Sequence, residues 1–457
     1  MKKPQLIKSI SGIRGVIGNG LDPITVATYG AAFGTYLKRG TVVLGSDTRP
    51  SGEMVRRAVT AGLVSVGIDV IDIGIVPTPT VEIAVKGLKA AGGVCVTASH
   101  NPSAWNALKF FNARGEFLTP TQYQRMNRIF ESGRFAWQPV DALGKLSYDH
   151  TWIDVHIKKT LAAKAISRGA IKKAGFKVVV DAINGAGSFA LPQLLERLGA
   201  RVYRINCEGD GNFVHEAEPL PRNLGQLCRA VKKHRADLGM ACDPDADRLV
   251  LVDERGCPVH EELTLAIAVK QVLKTRRGAT VINLSTSNIT ADTAREMRSR
   301  VIYSKVGEAN VVEMMRLRKG VIGGEGNGGV IYPEFHAGRD SLIAAALTLS
   351  ALAEGRTRLS RLVETFPRYY NIKAKASLPD DFEQRLKRFE RQTAGFLGRT
   401  RIDRRDGLRF DFKEGWLQLR KSNTEPIFRM IVETASESLT KDLYRQVIRY
   451  FKKRRVR

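Results

Sequence analysis

Short apolar runs alternate with stretches of helical periodicity along most of the chain, the pattern of strands buried on both faces under amphipathic helices. Asp22-Pro23 predicts a helix start, with Asp22 as cap and Pro23 as first helical residue, and Gly40 as the stop before a strand over 42–44. Ser51 is expected to cap the next helix, which ends near Gly67 ahead of a strand over 69–73; a strand over 93–97 then runs into a loop at 98–103. The same order restarts with a strand over 177–180, a helix over 188–198 closed by Gly199, and a strand over 201–205. It restarts again with strands over 280–284, near 301–304 and near 320–323, then a helix from 341 to about 353. No strong residue-level repeat accompanies this recurrence. After Phe366-Pro367 the pattern changes, and alternating runs at 370–376, 408–412, 416–419 and 428–432 with two helices predict a smaller α+β unit. The expected fold is α/β: three similar mixed α/β domains over 1–150, 151–254 and 255–367, plus a smaller C-terminal α+β domain over 368–457.

Composition narrows the class. Hydrophobic residues make up 43% of the 457, ample for several cores. Five scattered cysteines (Cys95, Cys207, Cys228, Cys242, Cys257) with no Cys-x-x-Cys pair are expected to be small buried residues in a reducing compartment. No run reaches the ~18 apolar residues of a membrane span, and no apolar segment follows Met1-Lys-Lys, so a soluble cytoplasmic protein is expected. The formal net charge of +27 raises nucleic acid as a partner, and the chain ends Lys452-Lys-Arg-Arg-Val-Arg457. No nucleic-acid-binding motif accompanies these residues, so the excess is read as solvated surface that concentrates an anionic small substrate, with nucleic acid not expected as partner.

Chemistry concentrates in a few segments. In Ala241-Cys-Asp-Pro-Asp-Ala-Asp-Arg248, Asp243, Asp245 and Asp247 repel one another unless a hard divalent cation neutralises them. Oxygen-only ligation favours Mg²⁺ or Ca²⁺ over Zn²⁺; the plainer alternative is a solvated acidic turn. Thr97-Ala-Ser-His-Asn-Pro102 follows a strand and places Ser99 and His100 at its carboxyl end, where open α/β sheets bind ligands, although Gly-x-Ser-x-Gly is absent. Lys109, within an apolar strand, is an edge charge or an anion ligand. Gly323-Gly-Glu-Gly-Asn-Gly-Gly329 lacks the lysine and hydroxyl residue of a P-loop, but Glu325 and Asn327 suit sugar hydroxyls; a structural turn is the alternative. Arg420-Lys-Ser-Asn-Thr-Glu-Pro426, with Arg429, is a dense set of phosphate donors.

Together these motifs closely resemble the α-D-phosphohexomutase family, from Ser11-Gly-Ile-Arg-Gly15 and Gly45-Ser-Asp-Thr-Arg-Pro-Ser51 to the C-terminal phosphate loop. The resemblance implies four domains around a central cleft, each lending one loop, and transfer of phosphate between the 1- and 6-positions of a hexose. It implies that Ser99 is the phosphorylated residue and that Mg²⁺ is held by Ser99, Asp243, Asp245 and Asp247. Arg14, His100, Lys109 and Arg248 would surround the transferring group, with proton roles open between His100 and Lys109. Lys305 and Gly307, in Ser304-Lys-Val-Gly-Glu308, would support substrate, and Glu325 would bind sugar hydroxyls beside Asn327. Arg420, Ser422, Asn423, Thr424 and Arg429 would hold the phosphate that is not reacting. A hexose 1,6-bisphosphate would be intermediate and activator, and a monomer or homodimer is expected.

Many relatives carry Gly-Glu-x-Ser-Gly-His in the sugar loop, where this chain has Asn327 and Gly329. Gly-Glu-Gly-Asn-Gly-Gly resembles instead a subgroup described as phosphoglucosamine mutase, so glucosamine phosphate is expected ahead of glucose or mannose phosphate. His336 is a candidate for the missing imidazole, against the plainer reading of a surface loop histidine. A nucleic-acid-binding protein on the same scaffold, or a phosphatase without isomerisation, are the alternatives from other classes.

Overall fold

The structure is a computed structural model and describes residues 6–392, 397–422 and 427–451. Asn423, Thr424 and the basic tail 452–457 therefore lie outside the described residues.

Four sheets carry the fold of the described residues. In the first, Asp69–Ile75, Thr41–Ser46 and Gly92–Val96 lie parallel in that spatial order, and Trp105–Asn112 pairs antiparallel with Gly92–Val96. The second repeats this with Arg201–Ile205, Lys177–Asp181, Leu238–Cys242 and antiparallel Leu249–Asp253. The third repeats it with Val301–Ser304, Ala279–Asn283, Gly320–Glu325 and antiparallel Gly329–Tyr332. The three units thus share one topology, and in each a helix follows the first strand and another precedes the third. The hairpin joining the third strand to the fourth is residues 97–104, 243–248 and 326–328 respectively, so the serine, aspartate and glycine motifs occupy one equivalent turn. The C-terminal sheet is antiparallel throughout, in the order Tyr370–Ser377, Ile427–Thr434, Gly415–Lys421, Leu408–Phe412, Arg401–Asp403.

One apolar cluster runs through the second and third units, from Ile157 to Phe366. Its axis is the helix Ser341–Gly355, apolar on every side and buried over Ser341–Leu352, as a core helix should be. Asp340 caps it, accepting from Leu342 N–H at 2.7 Å. The first sheet has a cluster on each face, and the C-terminal domain has its own. Among the described residues no helix is long and apolar enough to cross a membrane.

Local expectations hold in part. Asp22 caps the helix Pro23–Leu37 through Thr25 N–H at 2.8 Å, but the left-handed residue at its end is Lys38 (φ 71°), two positions before Gly40. Ser51 makes no side-chain cap on the helix Gly52–Val64; its hydroxyl accepts from Asn106 Nδ2 at 2.9 Å instead. Lys109 is not an edge charge, because Trp105–Asn112 has a hydrogen-bonded strand on each side. The five cysteines are free, though only Cys95 and Cys242 are buried and Cys257 is exposed.

Candidate active site

The serine turn is shaped by one arginine. Arg49 donates to the carbonyls of Ser99 (2.5 Å), Asn101 (2.7 Å), Pro102 (2.6 Å) and Trp105 (2.9 Å). Its Nε is held by Asp47 at 2.9 Å, with both side chains fully buried. Asp47 also accepts from Thr97 Oγ1 at 2.6 Å, and Thr97 Oγ1 accepts from Ser99 N–H at 2.9 Å. A guanidinium with five fixed donors can gather several carbonyls into one tight turn. Ser99 consequently sits at φ 49°, a left-handed conformation a serine adopts only when its surroundings impose it.

That turn meets the aspartate turn directly. Ser99 Oγ donates to Asp243 Oδ2 at 2.9 Å, and Asp243 Oδ1 accepts from the N–H groups of Asp247 (3.1 Å) and Arg248 (3.2 Å). One oxygen from each of Asp243, Asp245 and Asp247 falls within 4.8 Å of the others, all three residues being buried. Asp245 Oδ1 and Asp247 Oδ1 are buried without a hydrogen-bond partner, the arrangement expected of ligand atoms awaiting a cation. Other cations approach from outside the triplet: Lys109 Nζ lies 2.5 Å from Asp245 Oδ2, Arg339 Nη2 2.6 Å from Asp247 Oδ2, and Arg248 Nε 3.6 Å from Asp247 Oδ1. Burial and the two neighbouring carboxylates push Asp243 well above the usual carboxylate range. Burial also works against the charge on Asp245, but Lys109 and the Thr78 hydroxyl overcome it and hold that carboxyl low.

Arg339 ties this centre to the glycine turn. Besides Asp247 it donates to Glu308 Oε2 at 2.9 Å and Glu325 Oε2 at 3.0 Å. Glu325 Oε1 accepts from Asn283 Nδ2 at 2.7 Å and Gly307 N–H at 2.9 Å, which is the role the structure gives Gly307. The Gly328 carbonyl (φ 86°) accepts from Leu249 N–H at 3.0 Å, and a Cβ at Gly328 would lie 2.4 Å from Leu249 O. The sugar-loop candidate is therefore pressed against the strand that leaves the aspartate turn.

Above these turns lies a cleft of about 490 Å³, in the range of small-ligand sites. His100, Arg248, Glu325, Asn327, Arg420 and Arg429 all line it. Strand register places Arg429 directly across from Arg420 on one side and Lys375 on the other, and all three line the cleft. Like charges in direct cross-strand pairs destabilise a sheet unless an anion lies over them. Burial, then Arg429, lowers the pKa of Arg420. Burial followed by Arg248 and Arg14 pushes His100 well below the ordinary histidine value, leaving a neutral imidazole with Nδ1 3.5 Å from Ser99 Oγ.

Ser99, His100, Lys109, Arg248, the aspartates, Glu325, Asn327, Arg420 and Arg429 thus converge on one region. Arg14 joins at its margin, Nη1 donating to Asn101 Oδ1 at 3.3 Å. Lys305 is exposed beside the cleft-lining Val306 and does not itself line the cleft, and Ser422 N–H closes onto Ile427 O at 2.9 Å. His336 is not a surface residue: it is buried, with Nε2 2.7 Å from Glu82 Oε2, and burial lowers its pKa to about 4. Sequence reasoning missed Arg49, Arg339, Lys375 and Asn283. Arg49 stood in a quoted motif and Arg339 next to the cap Asp340, but neither had a local signal for its partners.

Four family models match in order: the phosphoglucomutase/phosphomannomutase alpha/beta/alpha domains I (residues 6–137), II (154–256) and III (261–370), and the C-terminal domain (371–449). The chain belongs to the phosphoglucomutase/phosphomannomutase family and is a phosphohexomutase, an isomerase. A Thermococcus kodakarensis protein named phosphoglucomutase/phosphomannomutase is 36% identical over 94% of this chain and 95% of its own. A Methanopyrus kandleri protein named probable phosphoglucosamine mutase is also 36% identical, over 95% of each chain. Among solved structures, a phosphoglucomutase/phosphomannomutase family protein from Burkholderia thailandensis superposes with a TM-score of 0.85 at 26% identity, covering 97% of this chain and 96% of that one.

Proposed function

We propose that Ser99 carries the transferred phosphate and that the preferred substrate pair is glucosamine 6-phosphate and glucosamine 1-phosphate. The observation that carries the reading is the 2.9 Å contact between Ser99 Oγ and Asp243 Oδ2 beneath a cleft that the Lys375–Arg429–Arg420 row lines. In the first half-reaction the bond between phosphorus and Ser99 Oγ breaks as one forms to the free hydroxyl of a sugar monophosphate. Neutral His100, with Nδ1 3.5 Å from Ser99 Oγ, takes the proton that hydroxyl loses and passes it to Ser99 Oγ as that oxygen leaves. The bisphosphate then turns end for end and returns its other phosphate to Ser99. Lys109 and Arg248 offset charge on the transferring group, whose loose transition state needs alignment and neutralisation more than covalent help. Asp243, Asp245 and Asp247 fit Mg²⁺ in ligand type and spacing, Asp245 and Asp247 each with an unpartnered oxygen, and a 14%-identical structural neighbour from Aspergillus fumigatus is in complex with magnesium. Bound there, the ion supplies Lewis-acid polarisation of phosphate oxygens.

The distal row suits a phosphate presented from either end of the sugar, since flexible cations tolerate both geometries. The choice of glucosamine rests on Glu325-Gly-Asn327 and on two carboxylates, Glu218 and Glu325, lining the cleft, acceptors for a protonated 2-amino group. The Methanopyrus relative's name agrees; the Thermococcus relative's name favours glucose or mannose phosphate as the second reading. A turnover panel of glucosamine, N-acetylglucosamine, glucose and mannose 1-phosphates with Mg²⁺ and trace bisphosphate decides between them. Glucosamine 1-phosphate is expected to have the highest kcat/KM, and a higher value for glucose or mannose 1-phosphate refutes that choice.

A further inference from the structure

Lys373 belongs to the C-terminal strand Tyr370–Ser377, yet its ammonium is spent on the third unit. Nζ donates to Glu261 Oε1 at 2.9 Å, Glu262 Oε1 at 2.8 Å and the Gly326 carbonyl at 3.0 Å, which uses all three of its N–H groups. Glu262 is fully buried at the start of the helix Glu262–Thr275, and its other oxygen accepts from Ser287 N–H at 3.0 Å. Gly326 lies flat on that carboxylate: a Cβ at this position would stand 2.0 Å from Glu262 Oε2. The glycine turn therefore rests on a buried anion that the C-terminal sheet neutralises, and its carbonyl is fixed by the same ammonium. Glu325 and Asn327 flank that carbonyl.

We infer that Lys373 is a positioning residue through which seating of the C-terminal sheet sets the backbone of the sugar-reading turn. The turn Gly326-Asn-Gly328 has little side-chain packing of its own to define its backbone, so an external hydrogen bond has unusual leverage there. With the sheet seated, Glu325 and Asn327 are held at a defined separation. With Lys373 withdrawn, Glu262 is a buried carboxylate without its cation and Gly326 loses its donor, so the turn relaxes. Hydroxyl discrimination thereby depends on the contact between the C-terminal sheet and the third unit. The discrimination part of the inference rests on the sugar-binding role proposed above for this turn.

The test uses the full chain with Lys373→Met and Lys373→Arg, reading hydrogen exchange over residues 325–329 and kcat/KM for the preferred hexose phosphate and its 2-position analogue. Lys373→Met is expected to speed exchange in the turn by about tenfold and to reduce the kcat/KM ratio between the two sugars by about fivefold, mainly through KM. Inorganic phosphate binding should stay within about twofold, because the distal row is intact, and Lys373→Arg should recover most of the ratio. Unchanged exchange in the turn overturns the inference, and so does an unchanged sugar ratio. If Lys373→Met does not fold cooperatively, Glu261→Gln replaces it, with the same directions expected at about half the size and the same results overturning it. A wild-type protein that turns over no hexose phosphate refutes the proposed function, while the exchange measurement still decides the placement of Lys373.

Discussion

The aspartate turn at 243–248 and the cationic row of the C-terminal sheet both border the cleft, and they handle charge in opposite ways. Asp243, Asp245 and Asp247 are buried; Lys109 and Arg339 are brought to them from two other parts of the chain, and Arg248 joins them from the turn itself. The C-terminal row sets Lys375, Arg429 and Arg420 side by side by register alone, with Lys375 exposed to the cleft. The first arrangement is cross-linked and desolvated, so charge there acts at full strength and geometry is rigid. The second is half-buried at Arg420 and Arg429 and exposed at Lys375, so it attracts an anion with less constraint on its orientation. A transfer that must happen at one place, on a substrate that must bind in two orientations, needs both kinds of site.

Removing the reacting atom breaks the comparison at its rigid end. Ser99→Ala is expected to lower turnover at least about 1000-fold in a coupled mutase assay, with a thermal midpoint close to wild type because the change deletes one hydroxyl from a turn. Arg49→Met should be nearly as damaging for a different reason. It leaves Asp47 buried and unpaired and frees the serine turn, costing about 3–5 kcal/mol in denaturant unfolding as well as activity. Metal removal by a chelator is expected to abolish turnover and lower the thermal midpoint, and Mg²⁺ should restore both; an unchanged midpoint would count against occupation of the aspartate site. At the open end effects should be smaller and confined to binding. Lys375→Gln is expected to raise KM for the sugar phosphate about three- to tenfold with kcat little changed, and the difference from wild type should shrink as salt is raised.

The weakest expected effect concerns a buried carboxyl paired with a histidine rather than with a lysine or arginine. Burial pushes Glu82 well above the usual carboxylate range, and it faces His336, lowered to about 4 by burial. Between the ordinary histidine pKa and about 4, unfolded His336 binds a proton that the folded protein does not, so this group lowers stability as the medium becomes acidic. Glu82 acts the other way, since the folded state keeps a proton that the unfolded chain releases as pH rises through the range above its ordinary value. Glu82→Gln should therefore stabilise the protein near neutral pH and expose a steeper loss of stability on acidification, measured by denaturant unfolding across a pH series.

Ser99 and the aspartate triplet were legible because their chemistry is local: a hydroxyl at a strand's end, and carboxylates at alternate positions in one turn. The three α/β units were legible for the same reason, although the equivalence of their third hairpins was not, since turn position within a sheet leaves no residue pattern. Gly40 and Ser51 misled because each has the right composition for a cap while Lys38 and Asn106 supply the actual geometry. Arg49, Arg339 and Lys375 carried no signal beyond that of any arginine or lysine, because what they do depends on partners far away in the chain.

Local sequence determined the catalogue of reactive groups and the strands and helices that bear them, because periodicity, turn chemistry and short-range charge repulsion act over a few residues. Only the tertiary structure decided which carbonyls Arg49 gathers, which carboxylates Arg339 and Lys373 neutralise, and that His336 is buried against Glu82. Those outcomes follow from how the sheets stack and in what register, and from burial strengthening each contact once water is excluded.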